Sequence, residues 1–187
     1  MNIKLSLLAI ALLAVSDLHG QISGSCVTDI LLSVYSERSY TSVPVTDQQL
    51  DLILNCGIKA PSARNVQPWR FTVIKDETSM KEIINNVVPG NVLIVVSGTE
   101  SQGGTTPDFD CGLATESMFI AAHSLGLGAR IYGSPAGNIN SKKELFQIPS
   151  GYKAVVVLRI GNIDKSVDGV SGATPRKTAE EIINFKK

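Results

Sequence analysis

The sequence predicts a single domain in which helices and strands alternate, of the α/β or α+β class. Stretches with helical periodicity alternate along the chain with short apolar stretches typical of strands. The 187 residues, 43% of them hydrophobic, are enough to enclose one buried core. No internal repeat, low-complexity tract or interior linker divides the chain. One domain is therefore expected.

The first elements are predicted from capping residues and periodicity. Thr46 and Gln49 have capping-box spacing, and the apolar residues after them recur at helical intervals, which predicts a helix that ends before Pro61. The glycine-rich stretch Gly98–Phe109 is typical of a flexible connector. Between these lie a predicted strand, an amphipathic helix and a buried strand, at Trp69–Lys75, Ser79–Val87 and Asn91–Ser97.

A long helix is predicted to begin at Asp110 and to be closed by Gly126 and Gly128. The remaining predicted elements are a helix that begins at a second capping box, an apolar strand and a short final helix, at Ser141 with Glu144, at Ala154–Gly161 and at Thr178 with Glu181.

The composition excludes two classes of partner. The 17 basic and 17 acidic side chains balance to zero net charge, so the chain lacks the basic surface that nucleic acid recognition requires. Two histidines and three cysteines, with no CxxC or HxxxH spacing, exclude a zinc site. We therefore expect neither nucleic acid nor a metal ion to bind.

The amino terminus has the pattern of a signal peptide. The positive start Met1–Lys4 precedes the uncharged apolar run Leu5–Val15, which is about half of the ~20 residues that a membrane-spanning helix needs. We predict that residues 1–20 are a signal peptide, that residues 21–187 form the domain, and that the protein is exported, periplasmic or extracytoplasmic. Lipid attachment at Cys26 is a weaker alternative, because no aliphatic residue stands in the usual place before it.

Export would place the cysteines in an oxidising compartment, where disulfides persist. Cys56 and Cys111 are the pair to examine. Both lie in predicted helices, however, so we favour buried free cysteines that act as small hydrophobic residues.

A polar loop, residues 61–68, separates the first predicted helix from the strand that begins at Trp69. It offers hydroxyl, amide and backbone N–H groups beside an aromatic ring, which suits a planar ligand that forms hydrogen bonds. Alternatively, Ser62 and Asn65 bond to their own backbone in an ordinary turn, and local chemistry alone favours this reading.

Ala60–Phe71, with the sequence APSARNVQPWRF, resembles the A-P-S-x-x-N-x-Q-P-W-x-F signature of the nitroreductase-like flavoproteins. Ser36–Tyr40 is similar to the family's S-x-R-x-[FY] opening. Residues 110–128 resemble its D-x-G helix that ends in A-A-x-x-L-G-L-G. Residues 148–161 and 175–182 resemble its last strand and basic closing helix. The resemblance spans Ile30–Phe185 and keeps the blocks in order.

The resemblance implies an α+β fold with a mixed sheet flanked by helices, an obligate homodimer, and FMN at the dimer interface. The flavin would carry the redox chemistry, so no catalytic side chain is required. Reduced nicotinamide, NAD(P)H, or another donor would reduce the flavin and leave. A nitroaromatic, a quinone or a similar acceptor would then replace it in a ping-pong cycle.

The resemblance also assigns cofactor-binding residues by position. Ser36 and Arg38 would contact the phosphate and ribityl chain, and charge-assisted bonds from Arg176 and Lys177 would close on the phosphate. A solvated surface charge is the favoured alternative for Lys177. Backbone at Gly133 would lie close to the isoalloxazine, where a side chain would collide. The ring edge and ribityl chain would be lined by Pro61, Ser62, Asn65 and Gln67.

Some positions depart from the family pattern. Val34 and Tyr35 stand where two arginines are usual, so we expect weaker phosphate binding. Glu116 replaces a common glutamine, and the segment before the long helix is too short for a large covering insertion, so we expect an open pocket. His123 could suggest a general base, but its apolar neighbours favour a packing or surface role.

Asp168–Thr174, with the sequence DGVSGAT, matches the D-x-x-[ST]-G-A-T pattern on which flavin transferases attach FMN through a phosphodiester to the final threonine. A glycine-rich loop that merely places Arg176 at the phosphate is the alternative. Covalent attachment would offset the missing arginines and retain the cofactor after export. Non-covalent FMN, covalent FMN on an exported electron carrier, and a fold that has lost its flavin all stay open.

Overall fold

The computed structural model describes residues 27–101, 103–170 and 173–186. Its sheet has four strands in the order β1-β2-β4-β3, and every neighbouring pair is antiparallel. Helices pack on this sheet, so the fold is α+β and the predicted class is confirmed. The mixed sheet that the resemblance implied is not found among the described residues, where all strand pairs are antiparallel. The strands are β1 Trp69–Ile74, β2 Val92–Thr99, β3 Leu127–Tyr132 and β4 Tyr152–Asn162. The predicted signal peptide and Cys26 lie outside the described residues.

The helices are α1 Val27–Ser33, α2 Asp47–Ile58, α3 Glu77–Ile83, α4 Pro107–Ser124, α5 Ala136–Ser141 and α6 Ala179–Ile182, with a short 3-10 turn at Ala63–Asn65. Within the described ranges, no helix combines the length and apolar character needed to cross a membrane.

The sheet separates two hydrophobic clusters. Alternate residues of β2 and β4, such as Ile94 and Leu158, face a cluster formed with α2 and α4. The residues between them, such as Leu93 and Val157, face a second cluster that includes side chains of α3 and α5. Because both faces of β2 are covered, this strand is a nearly continuous apolar run. Helix α4 therefore lies against the sheet as the main support of one face.

Several predicted boundaries are confirmed. The Thr46 hydroxyl accepts a hydrogen bond from the Gln49 backbone N–H at 3.2 Å, which completes the capping box of α2. The capping box at Thr178 likewise begins α6. Helix α4 begins three residues before Asp110, because Pro107 can occupy a first turn whose backbone N–H groups need no helical acceptor.

Other boundaries were wrong. Ser141 ends α5 instead of beginning a helix, and its hydroxyl donates to the Asn138 carbonyl at 2.7 Å. Helix α3 begins at Glu77, because the Asp76 carboxylate caps it by accepting the Ser79 N–H at 2.8 Å. The predicted connector is shorter than expected, since its ends belong to β2 and α4. Strand β3 was not predicted.

Both cysteines in the described ranges, Cys56 and Cys111, are free, as the favoured interpretation predicted, although Cys56 is only partly buried. Cys111 is fully buried. Desolvation by this burial, followed by the charges of Asp108 and Asp110, raises the pKa of its thiol to about 12. The thiol is therefore protonated near neutral pH and packs as a hydrophobic group.

A buried arginine fixes one corner of the sheet. Arg159 of β4 donates from Nε to the Asn91 side-chain oxygen at 2.9 Å and from Nη2 to the Asn86 carbonyl at 2.9 Å. Its guanidinium carbon lies 4.1 Å from the centre of the Tyr40 ring. Arg159 thus joins the loop before β2 to the end of segment 34–40.

Candidate functional site

The loop of residues 61–68 has an unusual backbone. Three residues, Arg64, Asn65 and Gln67, have φ angles of 53°, 56° and 50°. These angles lie in the left-handed region that residues other than glycine seldom adopt. Such strain persists only where surrounding contacts impose it, and it is concentrated at functional sites. We call residues 61–68 the strained loop.

Contacts inside the loop and from helix α4 hold this conformation. The Asp110 carboxylate is buried and accepts the Ala63 backbone N–H at 3.2 Å. The Ser62 hydroxyl accepts the Gln67 N–H at 3.0 Å, as the turn interpretation predicted. Gln67 donates from its side chain to the Asn65 carbonyl at 3.3 Å. The Asn65 side chain is exposed and makes no hydrogen bond to any described residue, so its amide is available to a ligand.

The ring of Trp69, which follows the strained loop, does not lie on the surface that the loop presents to solvent. Trp69 is 5% exposed and stacks on Phe71 inside the core, with ring centres 6.4 Å apart and planes 7° apart. Core packing covers the ring, so only the polar groups of the loop are open to a planar ligand.

A cavity of about 530 Å³ borders the strained loop. Its volume is in the range of small-molecule sites. Arg64 and Gln67 line it from the loop, while Thr99, Glu100 and Tyr152 line it from the end of the sheet. The cavity therefore offers both charges and an aromatic ring beside the loop.

Segment 34–40 lies at another corner of the fold. The Glu37 N–H donates to the Ala129 carbonyl of β3 at 3.0 Å, and the Ser39 carbonyl accepts the Asp164 N–H at 3.0 Å. Ser36 and Arg38 are exposed, whereas Glu37 between them is buried. The predicted phosphate contacts Ser36 and Arg38 thus lie on either side of the buried Glu37.

Glu37 is a residue that sequence reasoning missed. It is 1% exposed, and its carboxylate accepts three hydrogen bonds: from the Tyr35 hydroxyl at 2.7 Å, the Arg38 N–H at 2.7 Å and the Ser39 N–H at 2.8 Å. Desolvation by burial, followed by the hydrogen bond to Glu37, raises the pKa of the Tyr35 hydroxyl to about 12. No local signal could have identified it, because Gly128 and Gly169, which enclose it, come from distant parts of the chain.

The carboxyl-terminal segment, residues 173–186, is exposed throughout and includes Thr174, Arg176 and Lys177. Among the described residues, no hydrogen bond or ion pair joins Arg176 or Lys177 to segment 34–40. The loop before the carboxyl-terminal segment does approach segment 34–40, because a Cβ atom at Gly169 would lie 3.1 Å from Tyr35 Cε2. The start of the DGVSGAT motif therefore lies against the predicted phosphate-binding segment.

One chain does not bring the two groups of site residues together. Ala63 contacts Asp110 in the first turn of α4, and the Tyr35 ring lies 6.4 Å from the His123 ring in its last turn. His123 follows Asp110 by 123 − 110 = 13 residues, which is about 20 Å along a helix at ~1.5 Å per residue.

The sheet register gives the same result. Trp69, at the end of the strained loop, pairs with Gly98, which pairs with Lys153 near the start of β4. Tyr40 instead bridges to Ile163, just beyond the end of β4. The strained loop and segment 34–40 thus lie at opposite ends of the longest strand.

Gly133 and His123 complete the predicted positions. Gly133 follows β3 and is exposed, and none of the residues that the structure describes has an atom within 4 Å of where its Cβ would stand. Packing inside the chain therefore does not require glycine there. The His123 ring packs edge-on against Phe119 at 4.6 Å, and burial lowers the pKa of His123. It lies in a packing cluster, as predicted. The described residues contain no cluster of histidine, cysteine or acidic side chains able to hold a metal ion.

The chain is an antiparallel α+β domain with a strained polar loop at one end and the arginine-bearing segment 34–40 at the other. The model of the Nitroreductase family matches residues 32–91 and 88–162, which is more than half of the chain. The chain belongs to the nitroreductase family.

Individual relatives agree with this assignment. The chain is 29% identical over 147 residues to a "Putative NADH dehydrogenase/NAD(P)H nitroreductase" of Archaeoglobus fulgidus, covering 71% of this chain and 84% of that one. It is 22% identical over 178 residues to the NADPH-flavin oxidoreductase of Vibrio harveyi, covering 83% and 72%. A solved structure described as "a putative nitroreductase in complex with FMN", from Desulfovibrio desulfuricans, superposes with a TM-score of 0.71 at 26% identity, covering 86% and 96%.

Proposed function

We propose that this protein is an FMN-dependent oxidoreductase that transfers electrons from reduced nicotinamide, or another donor, to nitroaromatic, quinone or similar acceptors. The observation that carries the proposal is the strained loop, which matches the family signature and holds polar groups exposed beside a cavity. Relatives named as an NADPH-flavin oxidoreductase and as an NAD(P)H nitroreductase support it.

The described residues fit FMN. Arg38 and Ser36 offer an exposed cation and an exposed hydroxyl two residues apart, which suits a phosphate. The exposed Asn65 amide offers donors and an acceptor to a flavin ring edge. Open space at Gly133 permits close approach of a planar group. When bound, FMN supplies the redox chemistry, and these side chains bind and orient it.

A complete site requires two copies of the chain. The strained loop and segment 34–40 are about 20 Å apart by the length of α4, and one ribityl chain is far shorter. In a two-fold dimer, the loop of one copy can face the segment of the other, and each interface contact occurs twice. Exposed apolar side chains on α1 and the carboxyl-terminal segment offer surface for such a partner: Leu31, Leu32, Ile182, Ile183 and Phe185.

The cavity beside the loop accommodates donor and acceptor in turn, which is the arrangement that ping-pong kinetics requires. Arg64 supplies a cation and Tyr152 an aromatic ring for such ligands. With a signal peptide at residues 1–20, the chain functions outside the cytoplasm. Nicotinamide cofactors are cytosolic metabolites, so a membrane-bound or exported redox partner is then the donor in the cell.

The test is to purify the protein, record its absorbance spectrum and measure its oligomeric state. We expect a yellow dimer with about one FMN per chain. NAD(P)H oxidation should depend on FMN and on an added quinone or nitroaromatic. A colourless monomer that ignores added FMN would contradict the proposal. Rapid reduction by an artificial one-electron donor, but not by nicotinamides, would instead favour an electron carrier.

A second candidate function is an exported electron carrier with FMN bound covalently at Thr174. Two observations favour it: the exposed Thr174 hydroxyl lies two residues from Arg176, and Gly169 of the same motif lies against Tyr35. A flavin transferase would catalyse the attachment. The Thr174 oxygen would form a bond to phosphorus, losing its proton, while the activated flavin donor loses its leaving group.

Intact-protein mass after export and co-expression with a flavin transferase tests this attachment. Wild type should gain the mass of FMN, and Thr174→Val should not, because valine lacks the nucleophilic oxygen. Thr178→Val is the matched control and should keep the increment. Absence of the increment from wild type would reject covalent attachment, and an increment that survives Thr174→Val would reject the residue.

A further inference from the structure

Two unusual features of this sequence contact each other. Tyr35 stands where the family pattern has an arginine, and residues 163–170 lead into the DGVSGAT motif. Main-chain contacts join the two regions: Tyr40 bridges to Ile163, and the Asp164 N–H donates to the Ser39 carbonyl at 3.0 Å. Segment 163–170 therefore lies along segment 34–40.

Glu37 is enclosed from two sides where these segments meet. A Cβ atom at Gly128 of β3 would lie 2.6 Å from Glu37 Cγ, so only glycine fits there. A Cβ atom at Gly169 would lie 3.2 Å from Glu37 Oε1 and 3.1 Å from Tyr35 Cε2. The carboxylate is held between these glycines by three donors, and the Tyr35 hydroxyl donates to it at 2.7 Å.

We propose that Tyr35 and Glu37 form a latch that docks segment 163–170 against segment 34–40 and so positions Ser36 and Arg38 for the FMN phosphate. This inference rests on the proposed function, because it takes the phosphate to lie at those two residues. Tyr35 and Glu37 are positioning residues, since they act through their neighbours.

The latch determines which groups face the phosphate. Glu37 already accepts the backbone N–H groups of Arg38 and Ser39, so these donors are not available to an added anion. Glu37 is buried, and the Ser36 and Arg38 side chains on either side of it are exposed. Segment 163–170 lies against Tyr35 and Glu37 beside them. A fixed geometry thus takes the place of the two missing arginines.

The experiment compares FMN with riboflavin, which lacks the phosphate. The full chain is produced without a flavin transferase, so that flavin is dissociable, and the Kd of each flavin is measured by fluorescence titration. Tyr35→Phe removes only the hydroxyl bonded to Glu37, and Gly169→Val forces the docked segment away. Gly137→Val, at an exposed position with open space around it, is the matched control.

We expect wild type to prefer FMN. Tyr35→Phe should reduce the preference about fivefold, as expected for one lost hydrogen bond. Gly169→Val should reduce it roughly tenfold by overpacking the contact. Riboflavin affinity should stay within about twofold of wild type in both, as should both affinities in Gly137→Val. A merely structural role would instead weaken both flavins equally.

The outcomes separate the latch from the proposed function. Wild type that binds neither flavin contradicts the proposed function itself. Wild type that prefers FMN, with variants that keep the full preference or lose both flavins equally, overturns the latch alone. Equal affinity of wild type for the two flavins also overturns it, because the phosphate then gains nothing at Ser36 and Arg38.

Discussion

The two ends of the proposed site are built in different ways. The strained loop follows the family signature, and its shape lies in the backbone: three left-handed residues held by a carboxylate from α4. Segment 34–40 departs from the family pattern and is held by its own buried Glu37. The ring end therefore depends on a backbone conformation, whereas the phosphate end depends on side-chain packing that this sequence has arranged in its own way.

The largest expected effect concerns which copy of the chain supplies each end of a site. We propose that the strained loop of one copy and segment 34–40 of the other form one site. We expect Ser36→Ala with Arg38→Ala, and separately Asn65→Ala with Gln67→Ala, to impair FMN-dependent NADH oxidation strongly at limiting FMN. A heterodimer of the two variants, purified with two different tags, holds one intact site and one doubly altered site. It should recover about half of wild-type activity.

Each variant homodimer, purified in the same way, is the control for that experiment. A heterodimer no more active than either homodimer would show that one chain supplies both ends of each site.

Arg176→Ala tests whether the carboxyl-terminal segment contributes to phosphate binding. Each charge-assisted bond to the phosphate contributes roughly 1.5–3 kcal/mol, so the variant should bind FMN roughly tenfold to a hundredfold more weakly. Lys177→Ala should have a smaller effect, since Lys177 is a solvated charge in the favoured interpretation. An unchanged Kd in Arg176→Ala would place the phosphate elsewhere.

Asp110→Ala tests the support of the strained loop. It leaves the Ala63 N–H without its buried acceptor, so the free energy of unfolding should fall by about 1–3 kcal/mol in a denaturant titration. Asp108 lies two residues before Asp110 on α4, and its side chain forms a surface ion pair with Lys153. Asp108→Ala removes this ion pair and should change stability little. Equal losses in the two variants would show that the loop does not depend on Asp110.

Arg64→Gly should have the smallest effect and the opposite sign. Glycine adopts a φ of 53° without strain, so the free energy of unfolding should rise by less than about 1 kcal/mol after the entropic cost of glycine. Gln147→Gly relieves the same kind of strain away from the loop and is the matched control. Arg64→Ala removes the same cation but keeps the strain, so if Arg64→Gly weakens flavin binding and Arg64→Ala does not, the strain of the loop is functional.

Local signals predicted much of the fold. Capping boxes located α2 and α6, and apolar runs located β1, β2 and β4 within a few residues. Strand β3 was missed because Gly128 and Arg130 interrupt its apolar pattern, and pairing with β4 stabilises it instead. The capping box at Ser141 was wrong because the same hydroxyl can also bond backward, to a carbonyl at the end of a helix.

The candidate site was predictable where backbone shape follows a motif and not where packing decides. The resemblance located Ser62, Asn65 and Gln67, and the structure shows them on one strained loop. Glu37 was not predicted, because its role depends on Gly128 and Gly169, which come from distant parts of the chain. The separation of the two ends likewise required the register of the sheet.

The buried Arg159 has a consequence for which residues could replace it. Its planar guanidinium reaches Asn86 and Asn91 together, through bonds from separate nitrogen atoms. A lysine there would present a single ammonium group, and burial would disfavour its charged form. The support beneath Tyr40 therefore depends on the shape of the guanidinium, and lysine would not be a conservative substitution at this corner.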